Sequence, residues 1–318
     1  MYPVYIYTLK ILRRLYAGIF PVNALPMPDC IQDVDMASKV IRDRLMADTP
    51  CMITRFGAFE MGLLTNYLGT KMDHHSVRKF IKGEELEWWW NLNHIPLHIN
   101  AFPQTVEKIE QFCNLMIDDI PSVDILGSWL PSEYYFEKQL HNCPRIDLEL
   151  LNPYFSQIPW TTALENKKVL VIHPFSQSIE SQYKKKTLLF ENQQILPEFE
   201  LQTFKSVLRL GMNNSFTDWF DALNYMKDET SKRDFDIALL ACGAYGFPLA
   251  AHIKRMGRKA FHLGGSLQLL FGIKGNRWEN AKYHETYNYA ALMNEHWIKP
   301  DDCDKPKDAH RVDNACYW

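Results

Sequence analysis

The stretch Phe235-Asp236-Ile237-Ala238-Leu239-Leu240-Ala241-Cys242-Gly243-Ala244-Tyr245-Gly246-Phe247-Pro248-Leu249-Ala250 decides the fold. Its first seven residues form an apolar run that reads as a buried strand. Gly243 and Gly246 mark a turn, and Leu249 to Met256 reads as a helix. Gly257 ends that helix, Lys259-Ala260-Phe261-His262-Leu263 reads as the next strand, and Gly264-Gly265-Ser266 forms a second glycine turn. This order of strand, glycine turn and helix belongs to an open α/β sheet, where ligands bind at the carboxyl ends of strands. A backbone without Cβ lets a phosphate approach closely, and a helix start offers unpaired N–H donors.

Working outward, Lys168-Val169-Leu170-Val171-Ile172-His173-Pro174 reads as a second buried strand, stopped by its proline. A helix is expected from about Ser178 to Phe190, a strand over Phe199 to Phe204 and a helix over Asp218 to Lys227. Nearer the N-terminus, Asp33 or Asp35 caps a helix that carries Val34, Ala37, Val40, Ile41 and Leu45 at helical spacing. Pro50 to Arg55 reads as a strand and Ala58 to Leu68 as a helix. A helix is expected to include Glu84 to Trp90. Val123 to Leu126 reads as a strand running to Gly127-Ser128-Trp129, Glu133 to Leu140 as a helix, and Asn152 to Trp160 as irregular chain. This alternation predicts a Rossmann-like α/β fold, with a mostly parallel sheet and helices on both faces. One domain is expected over residues 35–318, preceded by an arm and Pro-rich connector over 1–34. The charged tail after Pro300 is expected to wrap the surface.

The chain has 318 residues, enough for one large domain or two modest ones. Its 35 Lys and Arg stand against 38 Asp and Glu, a formal net charge of −3, and this balance gives no nucleic-acid footprint. The seven cysteines are widely spaced with no C-x-x-C pair, which argues against a zinc site or a disulfide framework and for reduced thiols. No apolar run reaches membrane-spanning length. On a helix, Lys10, Arg13 and Arg14 share one face, while Ile11, Leu12, Leu15, Tyr16 and Ile19 fall largely on the other. Residues 1–20 therefore read either as a helix lying on an anionic membrane or as one packed on the body of the protein. A cytoplasmic protein, peripheral on the inner face of the membrane, is the corresponding expectation.

Three strand ends carry residues suited to chemistry. Arg55-Phe56-Gly57-Ala58-Phe59-Glu60 crosses a strand-to-helix junction. Arg55 suits a bidentate grip on phosphate, and Gly57 permits the turn. Glu60, in the first helical turn, either acts on a ligand or complements the helix dipole. His173-Pro174-Phe175-Ser176-Gln177-Ser178 offers a base or phosphate donor in His173, with serines that cap the next helix or bind ligand oxygens. His262 with Gly264 and Gly265, and Lys274-Gly275-Asn276-Arg277-Trp278, flank one short helix. There Arg277 would meet charge and Trp278 would stack on a ring. The adjacent Asp73-His74-His75 reads as a surface turn. The chain has no P-loop, no G-x-G-x-x-G fingerprint and no G-x-S-x-G elbow.

These segments resemble bacterial glycosyltransferases of the GT-D fold class, which carry an Arg-Phe-Gly-Asp-Gly-Glu-like segment after an early strand. Arg55, Phe56, Gly57 and Glu60 match it. Cys242-Gly243 with Pro248-Leu249-Ala250 is similar to the family's late strand end, and His262-Leu263-Gly264-Gly265 to its final turn. The segments at Ile172-His173-Pro174-Phe175 and Leu269 to Gly275 look like those of capsule and O-antigen cluster proteins. The likeness spans roughly residues 50–280 and rests on short motifs. It implies transfer of a sugar from a nucleotide-sugar donor to a glycan or lipid-linked acceptor in surface polysaccharide biosynthesis. Taken with the residues' own chemistry, the candidate donor-binding residues are Arg55, Gly57, Gly243, Tyr245, Gly246, His262, Gly264, Gly265, Arg277 and Trp278, and the candidate catalytic residues are Glu60 and His173. The chain departs from the pattern at Ala58, which stands where the family has its first metal-binding aspartate. An alanine cannot ligate Mg²⁺ or Mn²⁺, so Glu60 is the surviving candidate ligand and weak or absent metal dependence is expected. Two other readings stay open, a pyruvyl or phosphosugar transferase on the same scaffold and a non-catalytic nucleotide-sugar-binding protein.

Overall fold

The computed structural model describes residues 3–22, 24–90, 105–207, 216–301, 304 and 316–318. Helix α1 (Pro3–Ile19) leads to α2 (Val34–Met46), whose N-cap Asp33 accepts the Met36 N–H at 2.7 Å. Strand β1 (Cys51–Arg55) feeds α3 (Ala58–Thr70), followed by α4 (Val77–Ile81) and α5 (Val106–Asp119). Strands β2 (Ile125–Ser128), β3 (Arg145–Asp147) and β4 (Lys168–His173) follow, then α6 (Ser176–Tyr183) and β5 (Glu200–Lys205). The chain continues through α7 (Trp219–Ser231), β6 (Ile237–Leu240), α8 (Gly246–Arg255) and β7 (Lys259–His262), then the short α9 (Leu267–Leu270) and α10 (Asn276–Glu279).

The strands form one seven-stranded sheet in the order β3-β2-β1-β7-β6-β4-β5, with every pair parallel. Successive side chains of a strand point to opposite faces. Val169, Val171, Ile237, Leu239 and Phe261 therefore join α2, α6 and α9 on one face. Leu170, Ile172, Ala238, Leu240 and Ala260 join α3, α5, α7 and α8 on the other. Both faces are covered, as the near-continuous apolar runs of β4 and β6 require. This is the Rossmann-like α/β architecture expected from the sequence.

At the carboxyl edge, neighbouring strands send their chain to opposite faces. β1 and β6 continue into α3 and α8 on one face, while β7 and β4 continue toward α9 and α6 on the other. Crevices for ligands form where adjacent connections diverge in this way. The four strands β1, β7, β6 and β4 are contiguous in the sheet, so their ends share a single stretch of that edge.

Several local expectations are corrected. Residues 84–90 are not helical, and the helix in this region is α4. Gly83 closes it at φ +80°, and the Glu85 carboxylate accepts the Ser76 N–H at 2.9 Å, which folds the segment back on itself. Glu133 to Leu140 is a 3-10 turn (Pro131–Phe136) with irregular chain after it, because Glu133 turns back to the end of β2. The expected helix over 178–190 is α6 and ends at Tyr183. Neither Ser176 nor Ser178 caps it; the Ser178 hydroxyl donates to Asp301 at 3.4 Å. Within the connector, Ile31 bridges to Ile146 beside the edge strand β3. In the tail, Asp304, Cys316 and Trp318 are buried.

Candidate functional site at the carboxyl edge

Arg55 ends β1. Its guanidinium lies 5.5 Å from the centre of the Trp129 ring, and Trp129 Nε1–H donates to Phe56 O at 3.0 Å. The side chain is half-buried and takes part in no ion pair among the described residues. A Cβ on Gly264, at the end of β7, would meet Arg55 Cδ at 3.8 Å, so the arginine lies across that turn. Gly264 has φ +74° and Gly243 φ +58°, conformations that glycine adopts without the Cβ clash. Nothing lies within 4 Å of where a Cβ on Gly243 would stand, so the turn after β6 is open above its backbone.

Gly57 is the N-cap of α3 and gives no side-chain cap. Glu60 compensates by folding back, so that a Cβ on Gly57 would lie 1.7 Å from Glu60 Oε2. A carboxylate over the start of a helix is favoured by the helix dipole. The same geometry places it at the end of β1. Ala58 is exposed beside it.

The two histidines are braced rather than free. His262 is 5% exposed, and its Nδ1 pairs with Thr54 Oγ1 at 3.1 Å. His173 is 2% exposed, and its Nδ1 accepts the Phe175 N–H at 2.9 Å, which places the ring proton on Nε2. Burial pulls both imidazoles down to about 3, with the nearby Arg55 charge adding to the effect at His262. An imidazole held that far below neutrality is a poor general base. The neutral ring of His173 has an Nε2–H to donate, which makes it less suited than Glu60 to take up a proton.

Gly246 makes room for His262. A Cβ there would fall 2.3 Å from the imidazole Nε2 and Cδ2. Overpacking of this kind costs about 1–3 kcal/mol. Gly246→Ala is expected to lower the urea midpoint accordingly with an unchanged m-value; an unchanged midpoint would mean that the His262 ring can yield without cost.

The remaining candidates fall elsewhere. Tyr245 is fully buried and stacks on Trp219 with ring centres 4.9 Å apart, and Trp278 is 3% exposed within the core. Both side chains are buried, which leaves the Trp278 ring little surface for the stacking expected of it. Arg277 is linked to the edge indirectly. Its guanidinium lies 5.2 Å from the Tyr317 ring centre, and Tyr317 covers Gly265, where a Cβ would be 2.0 Å from the ring. Trp318 meets Phe175 at 6.0 Å, and Asp304 pairs with Lys205 at 2.7 Å. The described tail residues thus lie against the carboxyl ends of β7, β4 and β5.

Sequence reasoning missed Trp129, Glu133 and Tyr317. Glu133 is fully buried and accepts from the Trp129 and Leu130 N–H groups at 3.0 Å and from the Ser128 hydroxyl. The Gly127-Ser128-Trp129 strand end was a usable signal for the first two. Tyr317 has none, because its partner lies far away in the chain. Among the described residues, no three His, Cys, Asp or Glu side chains gather to hold a metal ion. Ala58 offers no ligand atom and Glu60 is folded over the start of α3, so these residues do not form a carboxylate pair for a divalent cation. The six described cysteines are free, and burial raises the Cys242 thiol to about 12, which makes it unsuited to nucleophilic work.

No helix among the described residues is long and apolar enough to cross a membrane. Comparison with protein-family models, with curated proteins and with solved structures gave no match.

Proposed function

We propose that the chain is a glycosyltransferase that holds the diphosphate of a nucleotide-sugar donor at the ends of β1, β7 and β6. The observation that carries this reading is Arg55, a half-buried guanidinium without an ion pair among the described residues. It is braced on Trp129 and laid across the left-handed turn at Gly264. The planar donor fork of such a cation suits a bidentate grip on the oxygens of a phosphate. In the reaction, the bond from the sugar's anomeric carbon to the phosphate oxygen breaks and a bond to the acceptor hydroxyl oxygen forms. The hydroxyl proton passes to Glu60, and the charge on the leaving diphosphate is met by Arg55 and the N–H groups of the Gly243 turn. The acceptor is a glycan or a lipid-linked sugar.

The test is a thermal-shift and calorimetric screen of nucleoside diphosphates and nucleotide sugars, with and without Mn²⁺. Binding to the folded state raises the midpoint with ligand concentration. Arg55→Ala is expected to weaken the best ligand about 10–100-fold, the loss of one charge-assisted interaction of about 1.5–3 kcal/mol. Failure of every nucleotide to bind would sink the reading. So would equal affinity in the variant.

A second reading, nucleotide-sugar binding without turnover, is favoured by the exposed Ala58 at the carboxylate position. Donor binding without release of nucleoside diphosphate across a panel of acceptors would select it.

A further inference from the structure

Helix α1 presents two faces of different character. Leu9, 3% exposed, packs with Phe80 and Trp89, and Ile6 lies against the same cluster. Arg13 lies over the Phe80 ring at 4.9 Å, and Lys10 pairs with Glu87 at 3.2 Å. The basic face expected to meet a membrane is thus partly spent on the body of the protein. At about 100° per residue, Val4, Tyr7, Ile11, Leu15 and Ile19 occupy about 120° of arc on the opposite side. Their exposures are 76, 68, 39, 58 and 74%. Of the 18 large hydrophobic side chains exposed among the described residues, eight lie between Val4 and Phe20, so this concentration is not the ordinary scatter of surface apolar residues.

In the segment that carries this face, every charged side chain is basic. Residues 1–22 contain Lys10, Arg13 and Arg14 and no acid. Arg14 is exposed at the flank of the apolar stripe. The helix that α1 packs against, α4, adds Arg78 and Lys79, both exposed, and Lys82 at its end. None of these four forms an ion pair among the described residues. Asp73 and Glu84 are the exposed acids of the neighbouring segments, so the cations outnumber them. The whole chain carries a net charge of −3, which makes this a local excess of positive charge on an acidic protein.

We infer that the exposed face of α1 lies in the headgroup layer of an anionic membrane, with the helix parallel to the bilayer plane. An apolar stripe without enough length or hydropathy to span, bordered by cations, is the pattern of an interfacial helix. The docking of Leu9, Lys10 and Arg13 on the body fixes which face is offered.

The test uses the full chain and sedimentation with vesicles of phosphatidylcholine, with and without phosphatidylglycerol. Wild type is expected to sediment with the anionic vesicles and to be released by salt. The double substitution Ile11→Asp, Leu15→Asp is expected to lower partitioning at least about tenfold, from the loss of two apolar side chains that would enter the bilayer. Arg14→Ala and Arg78→Ala are each expected to lower it about fivefold, on anionic vesicles only. All these side chains are exposed, and unchanged thermal midpoints will confirm that the variants fold. Wild type left in the supernatant, or a double variant that sediments like wild type, would overturn the inference. Concentration-dependent self-association without vesicle binding would also overturn it and give the face to a second copy of the chain.

Discussion

Under the proposed sugar transfer, Glu60→Gln is expected to slow turnover about 10²–10⁴-fold while leaving the fold and donor affinity near wild type. The amide keeps the shape of the carboxylate that folds over Gly57 at the start of α3, but it cannot take a proton from an acceptor hydroxyl. The split between kcat and donor binding is the informative readout. Removal of a general base lowers kcat, whereas loss of a helix-capping charge lowers stability by no more than about 1 kcal/mol. Unchanged turnover with a small loss of stability would assign Glu60 to the helix start alone. Activity that is abolished by EDTA and restored by Mn²⁺ would contradict the metal-independent reading drawn from Ala58.

The second large effect is on stability against pH. His173 and His262 are buried, and both imidazoles are pulled from the ordinary 6.5 to about 3. Between those values the unfolded chain takes up two protons that the folded chain refuses. The stability associated with the neutral imidazoles is therefore complete above pH 6.5 and is lost as pH falls toward 3. One refused proton corresponds to about 1.4 kcal/mol per pH unit, so the pair contributes about 2.7 kcal/mol per pH unit in that window. Against a typical folding free energy of about 5–15 kcal/mol, two pH units below 6.5 suffice to threaten the fold. Urea unfolding at a series of pH values is expected to show the slope, and His173→Gln and His262→Gln are each expected to remove about one proton from it. NMR titration of the wild-type imidazoles gives an independent check. Resonances that titrate near 6.5 in the folded protein would refute the prediction.

The order of strands and helices was legible wherever a run of side chains had one clear period. β4 and β6 are apolar on both faces, β7 is bounded by glycines, and α2 carries its cap and its apolar positions within one short segment. The failures share a cause. The Glu84 to Trp90 segment has helix-forming composition, but Phe80, Trp88 and Trp89 are organised by Leu9 of α1, which lies far away in the chain. Glu133 opens a segment of helical appearance, yet its carboxylate is drawn to the donors at the end of β2. β3 is three residues long and owes its pairing to its neighbour, so it has no period of its own to read.

The candidate site divides in the same way. Arg55, Gly57, Glu60, Gly243 and Gly264 could be named from sequence because a strand end, a glycine and a helix start are local features. The burial of the Tyr245 and Trp278 side chains was not legible, because sequence proximity to a turn does not say which face of the sheet a side chain enters. What the chain's local chemistry determined is an alternating α/β order with glycine turns after its strands. What only tertiary structure decided is which ends meet: β7 inserts between β1 and β6, so Thr54 meets His262 across 208 residues of chain, and Arg55 is laid across Gly264. The physical reason is range. Backbone propensity and side-chain period act over a few neighbours, whereas strand order is set by the burial of whole faces, and that is settled only when all seven strands compete for places in one sheet.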